Sequence, residues 1–474
     1  MPSLLRLLGL GLLLLHAPTV LAEDAPGTVA STGTVEWILR EGPERRGVLA
    51  PALRKRLARL TADDAAGRHR EMAKDPLRFF RATAHVYHQD LASNDWLRRS
   101  EFFSDDLFTW VQGDARSDNV GIFADGAGEV IFDLDDFGDA WIASYLVDLW
   151  RFGVSIHLVC REAGFDAQTA DAAVLAFADA YLEHIARLRD GVGGANAPIS
   201  SETTQDPLAK FIGQIATKRT RERLLDKWTQ LGETGRRFGD DKRLSPVDNL
   251  TRRRFGAAFD AYRRHLPTAS TLGRSHFRVL DLVRRLGAGL SSAEALRFYV
   301  LIEGPTERPE DDRILDVVAR IRPSTAEVAE DPPGPAKLGH LADAGCRAAL
   351  AERALLTRPD PHLGCLVMKG EAFSVRELSP AKAQFPAVGL RDYEALWVLV
   401  DAWGRVLASA HARADRDFDP ELVPHPFEEV LLERVGDRGK TFGHELRRFA
   451  RSYARQVETD HAIFLRARRQ GALP

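Results

Sequence analysis

The stretch WVQGDARSDNVGIFADGAGEVIFDLDDFGDA, residues 110–140, decides how the rest of the chain is read. It holds short apolar runs bounded by Gly and Asp, a texture of strands and turns set between segments of helical period. Asp114 follows an apolar run and a glycine, and Asn119 comes five residues later. Asp133 ends the run Val130-Ile131-Phe132, fourteen residues beyond Asn119. A hairpin turning at Asp125-Gly126-Ala127-Gly128 brings Asn119 and Asp133 towards each other.

This is the order of parts in a phosphoryl-transfer site of the kinase type. One Asp accepts the proton of the substrate hydroxyl, while an Asn and a second Asp hold the magnesium that bridges the phosphates. Magnesium is a hard cation and takes oxygen ligands, which carboxylates and an amide carbonyl supply. Asp114 is therefore the candidate base, and Asn119 and Asp133, with Asp135 beside them, are candidate metal ligands. Gly-Asp-x-x-x-x-Asn is common by itself; coupled to a hairpin ending in Phe132-Asp-x-Asp-Asp-Phe137 it is more specific. Two other readings stay open. These residue types also cap helices and turns, and the clustered carboxylates Asp133, Asp135 and Asp136 suit a metal-dependent hydrolase.

Around this stretch the chain is mostly helical. Helical periodicity fills 48–100, returns over 141–188, and after a polar segment continues to about 265. A second strand-rich zone follows: FRVLDLVRRLGAGLSSAEALRFYVLIEGP reads as strand, Gly-containing turn and strand, and ILDVVARIRPS as a third strand. A helix is expected at 340–357, a hairpin in LGCLVMKGEAFSVREL, and helices again in DYEALWVLVDAWGRVLASAHARA and over 426–470. The expected class is α+β with two small antiparallel sheets in a helical frame. The expected division is a core lobe over 48–265, a small β-containing lobe over 270–390, and C-terminal helices over 391–474 that pack on the core lobe.

The first 27 residues, MPSLLRLLGLGLLLLHAPTVLAEDAPG, have a basic Arg6, an apolar run from Leu7 to Leu15, and the small-residue pattern Val20-Leu21-Ala22 before Glu23 and Asp24. That run is too short to span a bilayer and fits a cleavable secretory signal over 1–22, followed by a flexible lead-in over 23–47. An exported chain, periplasmic or secreted, is expected, with no membrane span after the signal. A net charge of -3 and acids interleaved with the arginines give no reason to expect a nucleic-acid partner. An apolar share of 45% is ample for a large core. Three cysteines make no disulfide framework. Cys346 and Cys365 could pair, but buried free thiols are the expected state.

Several separated motifs carry a resemblance: DPLRFFRATAHVYHQDL, QGDARSDNVGIF, VIFDLDDFGDAWIASYLVDLWRFGVSI, RRLGAGLSSAEALRFYVLIEGP, FSVREL and LASAHARAD. In this order, from about 68 to 415, they resemble the bacterial family catalogued as domain of unknown function 2252. That family's Gly-Asp-x-His-x-x-Asn and Phe-Asp-x-Asn-Asp-Phe-Asp motifs are similar to those of aminoglycoside phosphotransferases and other kinase-like enzymes. The resemblance implies a base at Asp114, metal ligands at Asn119 and Asp133, and a structural role for Asp148. It implies ATP and Mg²⁺ as cofactors and an unknown small molecule or protein as substrate or partner. The candidate Gly-rich turn, with Gly287 and Gly289, comes after the catalytic stretch, so a circularly permuted kinase-like fold is expected. Departures stand beside the matches. Arg116 replaces the family's His. The strand lysine is missing near Ala319, with Arg320 beside it, and the pairing glutamate falls near Leu350, with Glu352 close by. Arg binds phosphate but is not equivalent to Lys in geometry. Arg376 and Arg81 are further candidates for a fork onto phosphate or carboxylate. Three functions therefore remain: a phosphotransferase, a catalytically silent protein that binds a ligand or partner in the same cleft, and, as a weaker reading, a metal-dependent hydrolase.

Overall fold

The computed structural model describes residues 42–57, 62–233, 235–273, 275–287, 296–328, 341 and 343–471. The expected signal segment, residues 23–41 of the expected lead-in and Gly289 lie outside the described residues. Residues 42–47 open the first helix instead of continuing a lead-in. That helix, α1 (Gly42–Leu57), is followed by α2 (Ala62–Met72), α3 (Pro76–Ala82), α4 (Ala84–Asn94) and α5 (Trp96–Arg99). Local chemistry sets where these begin. At α3, Pro76 occupies the first turn, where its missing N–H costs nothing, and Asp75 caps the helix by accepting the Arg78 N–H at 2.7 Å.

Four short strands come next: β1 (Phe108–Val111), β2 (Val120–Ala124), β3 (Val130–Leu134) and β4 (Trp141–Ser144). They form two separate ribbons, β1 with β4 and β2 with β3. Helices α6 (Leu146–Ala163), α7 (Ala167–Arg189) and α8 (Leu208–Lys218) follow. α6 is apolar almost all round and is buried on nearly every side, as a central helix must be. On it pack α7 and, from the far end of the chain, α15 (Gly439–Arg469); α13 (Tyr393–Arg413) and α14 (Phe427–Val435) pack on α7. Small residues allow the closest crossings. A Cβ at Gly404 of α13 would lie 2.8 Å from the Ala180 Cβ, and one at Gly153 of α6 would lie 3.0 Å from a Leu446 methyl. Buried Arg45 ties α1 to this bundle, donating to Asp90 at 2.6 and 2.7 Å and to Asp460 at 2.7 and 2.6 Å.

The second core is built on a sheet. α9 (Arg221–Trp228), β5 (Thr229–Gly232), β6 (Gly235–Phe238), β7 (Leu244–Pro246), α10 (Asn249–His265) and α11 (Ala269–Leu272) lead into β8 (Val279–Arg285), β9 (Arg297–Ile302) and β10 (Arg313–Arg320). Helix α12 (Ala344–Leu355) precedes β11 (Gly364–Met368) and β12 (Glu371–Glu377). β7 to β12 form one antiparallel sheet in the order β11-β12-β10-β9-β8-β7, and β5 pairs with β6 in a third ribbon. Among the described residues there are thus one six-stranded sheet and three ribbons, not two small sheets, and the sheet starts at β7, ahead of the expected lobe boundary. Side chains alternate across this sheet. Phe298 and Val300 of β9, Leu315 and Val317 of β10, and Phe373 and Val375 of β12 pack on Phe255, Phe259 and Tyr262 of α10. Tyr299, Leu301 and Ile314 face the other way, onto Leu225 and Trp228 of α9. By the same alternation Asp316, Arg320, Ser374 and Arg376 share that second face.

Cys346, in the first turn of α12, is joined by a disulfide to Cys365 of β11, with Cα atoms 4.8 Å apart. The expectation of free thiols is corrected for this pair, and Cys160 is free and buried. Among the described residues no helix is long and apolar enough to cross a membrane.

The crossing at Gly404 gives a direct test. Gly404→Val forces the two helices apart and costs about 1–3 kcal/mol in urea unfolding. Gly256→Ala, on α10 where a Cβ meets open space, stabilises by about 0.5–1 kcal/mol.

Candidate functional site between the helical core and the sheet

The loop after β1 is held from beneath by Asp148 of α6. This fully buried carboxylate accepts the N–H of Gln112 at 2.5 Å and of Gly113 at 2.7 Å. Gly113 has φ +79°, and a Cβ there would lie 2.1 Å from the Asp139 carbonyl oxygen, so the position requires glycine. Its own carbonyl lies 2.8 Å from Nε2 of His88, whose Nδ1 is 2.9 Å from the Ser324 hydroxyl. His411, on α13, lies 3.4 Å from Asp148 and 2.8 Å from the Tyr181 hydroxyl. The structural part expected of Asp148 thus has a physical content: it fixes the backbone from which Asp114 projects.

Asp114 is brought together with Asn119, and both with Arg116. One Asp114 oxygen accepts from Arg151 Nε at 2.7 Å; the other accepts from Arg116 Nε and from the Asn119 amide, each at 3.2 Å. Arg151 in turn lies over the Phe80 ring at 4.1 Å. The Arg116 guanidinium also donates to Asp118 and, at 2.7 Å, to the Asn119 amide oxygen. Arg116 is fully buried. Burial alone would weaken its hold on its proton, but Asp114, Asp118 and the nearby Asp136 more than offset this and raise its pKa. These residues are therefore not helix caps but a network around the buried Arg116, joined through Asp114 to a second buried cation, Arg151.

Asp133 does not join them. It accepts the N–H of Leu134 at 2.8 Å and faces Arg413 and Asp125, sharing no hydrogen-bond partner with Asp114 or Asn119. Burial raises its pKa to about 6, partly countered by Arg413. Asp133, expected as a metal ligand beside Asn119, is thus bonded within its own hairpin and not to the Arg116 network. β3 ends at Leu134, and the two residues after it turn towards the sheet instead. The Asp135 N–H meets the Asn119 carbonyl at 2.9 Å, and its carboxylate takes Lys382 Nζ at 2.8 Å with Arg376 at 3.6 Å. Asp136 lies 3.8 Å from Arg320. Burial would raise the Asp136 pKa, but Arg320, the Gly138 N–H and Arg376 outweigh it and hold the carboxyl below its usual range.

Arg376 of β12, not Arg320 of β10, pairs with the helix glutamate: its guanidinium is 3.3 Å from Glu352 of α12. Arg320 donates to the Ser374 hydroxyl at 2.9 Å. Gly287 is exposed just after β8, with φ +64° and no atom near its Cβ position; among the described residues it does not line the cleft with the acids. Arg81 forms a bridge to the Asp118 carboxylate at 3.0 Å. Between the β2–β3 hairpin and the charged face of the sheet lies a cleft of about 300 Å³, lined by Asp135, Arg221, Arg313, Glu352, Arg376 and Lys382 among others.

A family model described as an uncharacterised protein conserved in bacteria, domain of unknown function 2252, matches residues 60–467. The chain belongs to this family. No curated protein and no solved structure matches it. In this member of domain of unknown function 2252, the residues expected to hold Mg²⁺ do not fit it: the amide oxygen of Asn119 already accepts from Arg116, and Asp133 faces elsewhere. Sequence reasoning named Asp136 only in the carboxylate cluster of the hydrolase reading, and its approach to Arg320 of β10 was not anticipated.

Two predictions follow from the charges. Arg151→Met leaves Asp114 buried with one guanidinium fewer and lowers the unfolding free energy by about 3–5 kcal/mol. A carboxyl whose pKa rises to about 6 on folding binds its proton more tightly in the native state than in the unfolded chain. It therefore costs stability above pH 6, progressively less as the pH falls towards 4, and nothing below that. Asp133→Asn should thus stabilise at pH 8 by up to about 3 kcal/mol and make no difference at pH 3.5, as read by denaturant titration at both pH values.

Proposed function

We propose that this is an exported, kinase-like protein of permuted order that binds a ligand in the cleft between its helical core and its sheet and does not transfer phosphoryl groups. The observation that carries the reading is the buried Arg116 guanidinium. It stands among Asp114, Asp118 and Asn119 and feels Asp136, which is the place a catalytic cation would need. A guanidinium cannot supply the open coordination positions through which a metal ion bridges phosphate oxygens. The lining cations Arg221, Arg313, Arg376 and Lys382 make an anionic or zwitterionic ligand the best match for the cleft. Export is supported by the apolar N-terminal run and by the Cys346–Cys365 disulfide, since such bonds persist mainly in oxidising compartments.

The active alternative has one observation in its favour. The Arg376–Glu352 pair supplies a strand cation and a helix carboxylate of the kind that kinases align on phosphates.

Thermal-shift titration separates the two readings. Wild-type protein should melt at the same temperature with and without millimolar Mg²⁺, and ATP should give no Mg²⁺-dependent shift. Arg116→Gln removes the internal cation, and the acids it leaves should then take up Mg²⁺, gaining about 2.7 kcal/mol at a hundredfold excess over Kd. Mg²⁺-dependent ATP turnover by the wild type, lost in Asp136→Asn, would overturn the silent reading.

A further inference from the structure

The wall of the cleft made by the sheet carries a second cluster, which uses none of the residues around Arg116. His362, in the loop before β11, is buried, and its Nδ1 lies 2.9 Å from an Asp360 oxygen and 3.7 Å from Oε2 of Glu377. These three ligand atoms all lie within 4.8 Å of one another. On the other edge of the ring, Nε2 is 2.7 Å from Nε2 of His276, which is also buried and whose Nδ1 has no hydrogen-bond partner. All four residues line the cleft.

The surroundings fix this arrangement in advance. The Tyr262 hydroxyl donates to the His362 carbonyl at 2.6 Å. Asp360 accepts the backbone N–H of His362 at 2.9 Å and also that of Glu377. Arg221 and Arg313 each pair with Glu377 through Oε1, while His362 faces Oε2. A proton on Nδ1 satisfies Asp360, but Glu377 at 3.7 Å is beyond hydrogen-bond reach. Two carboxylates facing one imidazole edge, with only one of them satisfied by a proton, ask for a divalent cation. A tetrahedral ion with bonds of 2.0–2.2 Å spaces its ligand atoms by about 3.4 Å, between the two distances seen here.

We propose that Asp360, His362 Nδ1 and Glu377 form a zinc-class metal site with its fourth position open to the cleft. An imidazole with two carboxylates suits zinc, and three protein ligands plus an open position is the form of a site that receives a ligand. His276 is the outer partner: it accepts the Nε2 proton of His362 and so selects the tautomer that frees Nδ1 for the metal. Arg221 and Arg313 beside Glu377 favour an anionic oxygen, of a carboxylate or a phosphate, in the fourth position.

The experiment is isothermal titration of ZnCl₂ into EDTA-treated full-length protein, with Co²⁺ as a second probe whose visible absorption reports four-coordination. Wild type should bind one equivalent of Zn²⁺. His362→Ala and Glu377→Gln should each weaken binding at least a hundredfold, and His276→Ala about 10–100-fold. His425→Ala, at a half-buried histidine in the loop between α13 and α14 that faces Asp106, should change nothing. Circular dichroism checks that each variant folds; if His362→Ala does not, Glu377→Gln, which keeps the residue's shape, decides. Failure to bind Zn²⁺, or binding unchanged in Glu377→Gln, overturns the proposal. Arg116→Gln should keep this Zn²⁺ equivalent, whatever the acids it frees take up, and lose it when Glu377→Gln is added, so this result is separable from the test of the Arg116 seat.

Discussion

A buried guanidinium surrounded by acids is the constraint on which the centre of this molecule rests. An isolated charge in the interior costs several kcal/mol, so Arg116 is tenable only because Asp114, Asp118 and Asn119 close around it. That closure in turn requires the loop from Gly113 to Asn119 to take one path, which Asp148 fixes by accepting two of its backbone N–H groups. Arg151, lying over Phe80, completes the compensation of Asp114. The same logic recurs where Arg347 of α12, fully buried, donates to the carbonyls of Gly138 and Ala140. Burial weakens its hold on its proton, towards a pKa of about 10, and Asp139 opposes this. That contact locks α12 to the loop that carries Asp136.

Much of the fold was legible because period survives in the residues. Alternation in RFYVLI and RILDVVAR announces strands with two different faces, and the apolar stripe of YEALWVLVDAWGRVLASAHAR announces a long helix. The short strands β5, β6 and β7, with the sequences TQLG, GRRF and LSP, carry no such signal; they are strands only because a neighbour lies alongside. The number of sheets was therefore unreadable. So was the disulfide, because nothing local to Cys346 or Cys365 says that α12 crosses β11 where they stand.

The site shows the same division. Asp114 and Asn119 are close in sequence, and a five-residue spacing within a tight loop brings them together. Choosing among Asp133, Asp135 and Asp136 needs knowledge of which acids meet Arg320 and Arg376 of the sheet and Lys382 of the loop after β12, and those partners are remote in sequence. Strand alternation does place Arg320 and Arg376 on one face, with Asp316 opposite Arg376 in register. Which of the two meets Glu352 depends on the position of α12, and no local pattern encodes that. The cluster of His276, His362, Asp360 and Glu377 draws on three separate elements and had no motif to betray it.

The tip of the β2–β3 hairpin is stitched to the opposite wall: the Gly126 N–H meets the Arg358 carbonyl at 2.9 Å, and Arg358 pairs with Asp125 at 2.6 Å. At the other end, Ile122 and Ala383 exchange backbone hydrogen bonds at 2.7 and 2.8 Å. With both corners pinned, the hairpin can swing away from that wall only by giving up these backbone hydrogen bonds and a carboxylate–guanidinium contact at once, so its two ends are tied to move together.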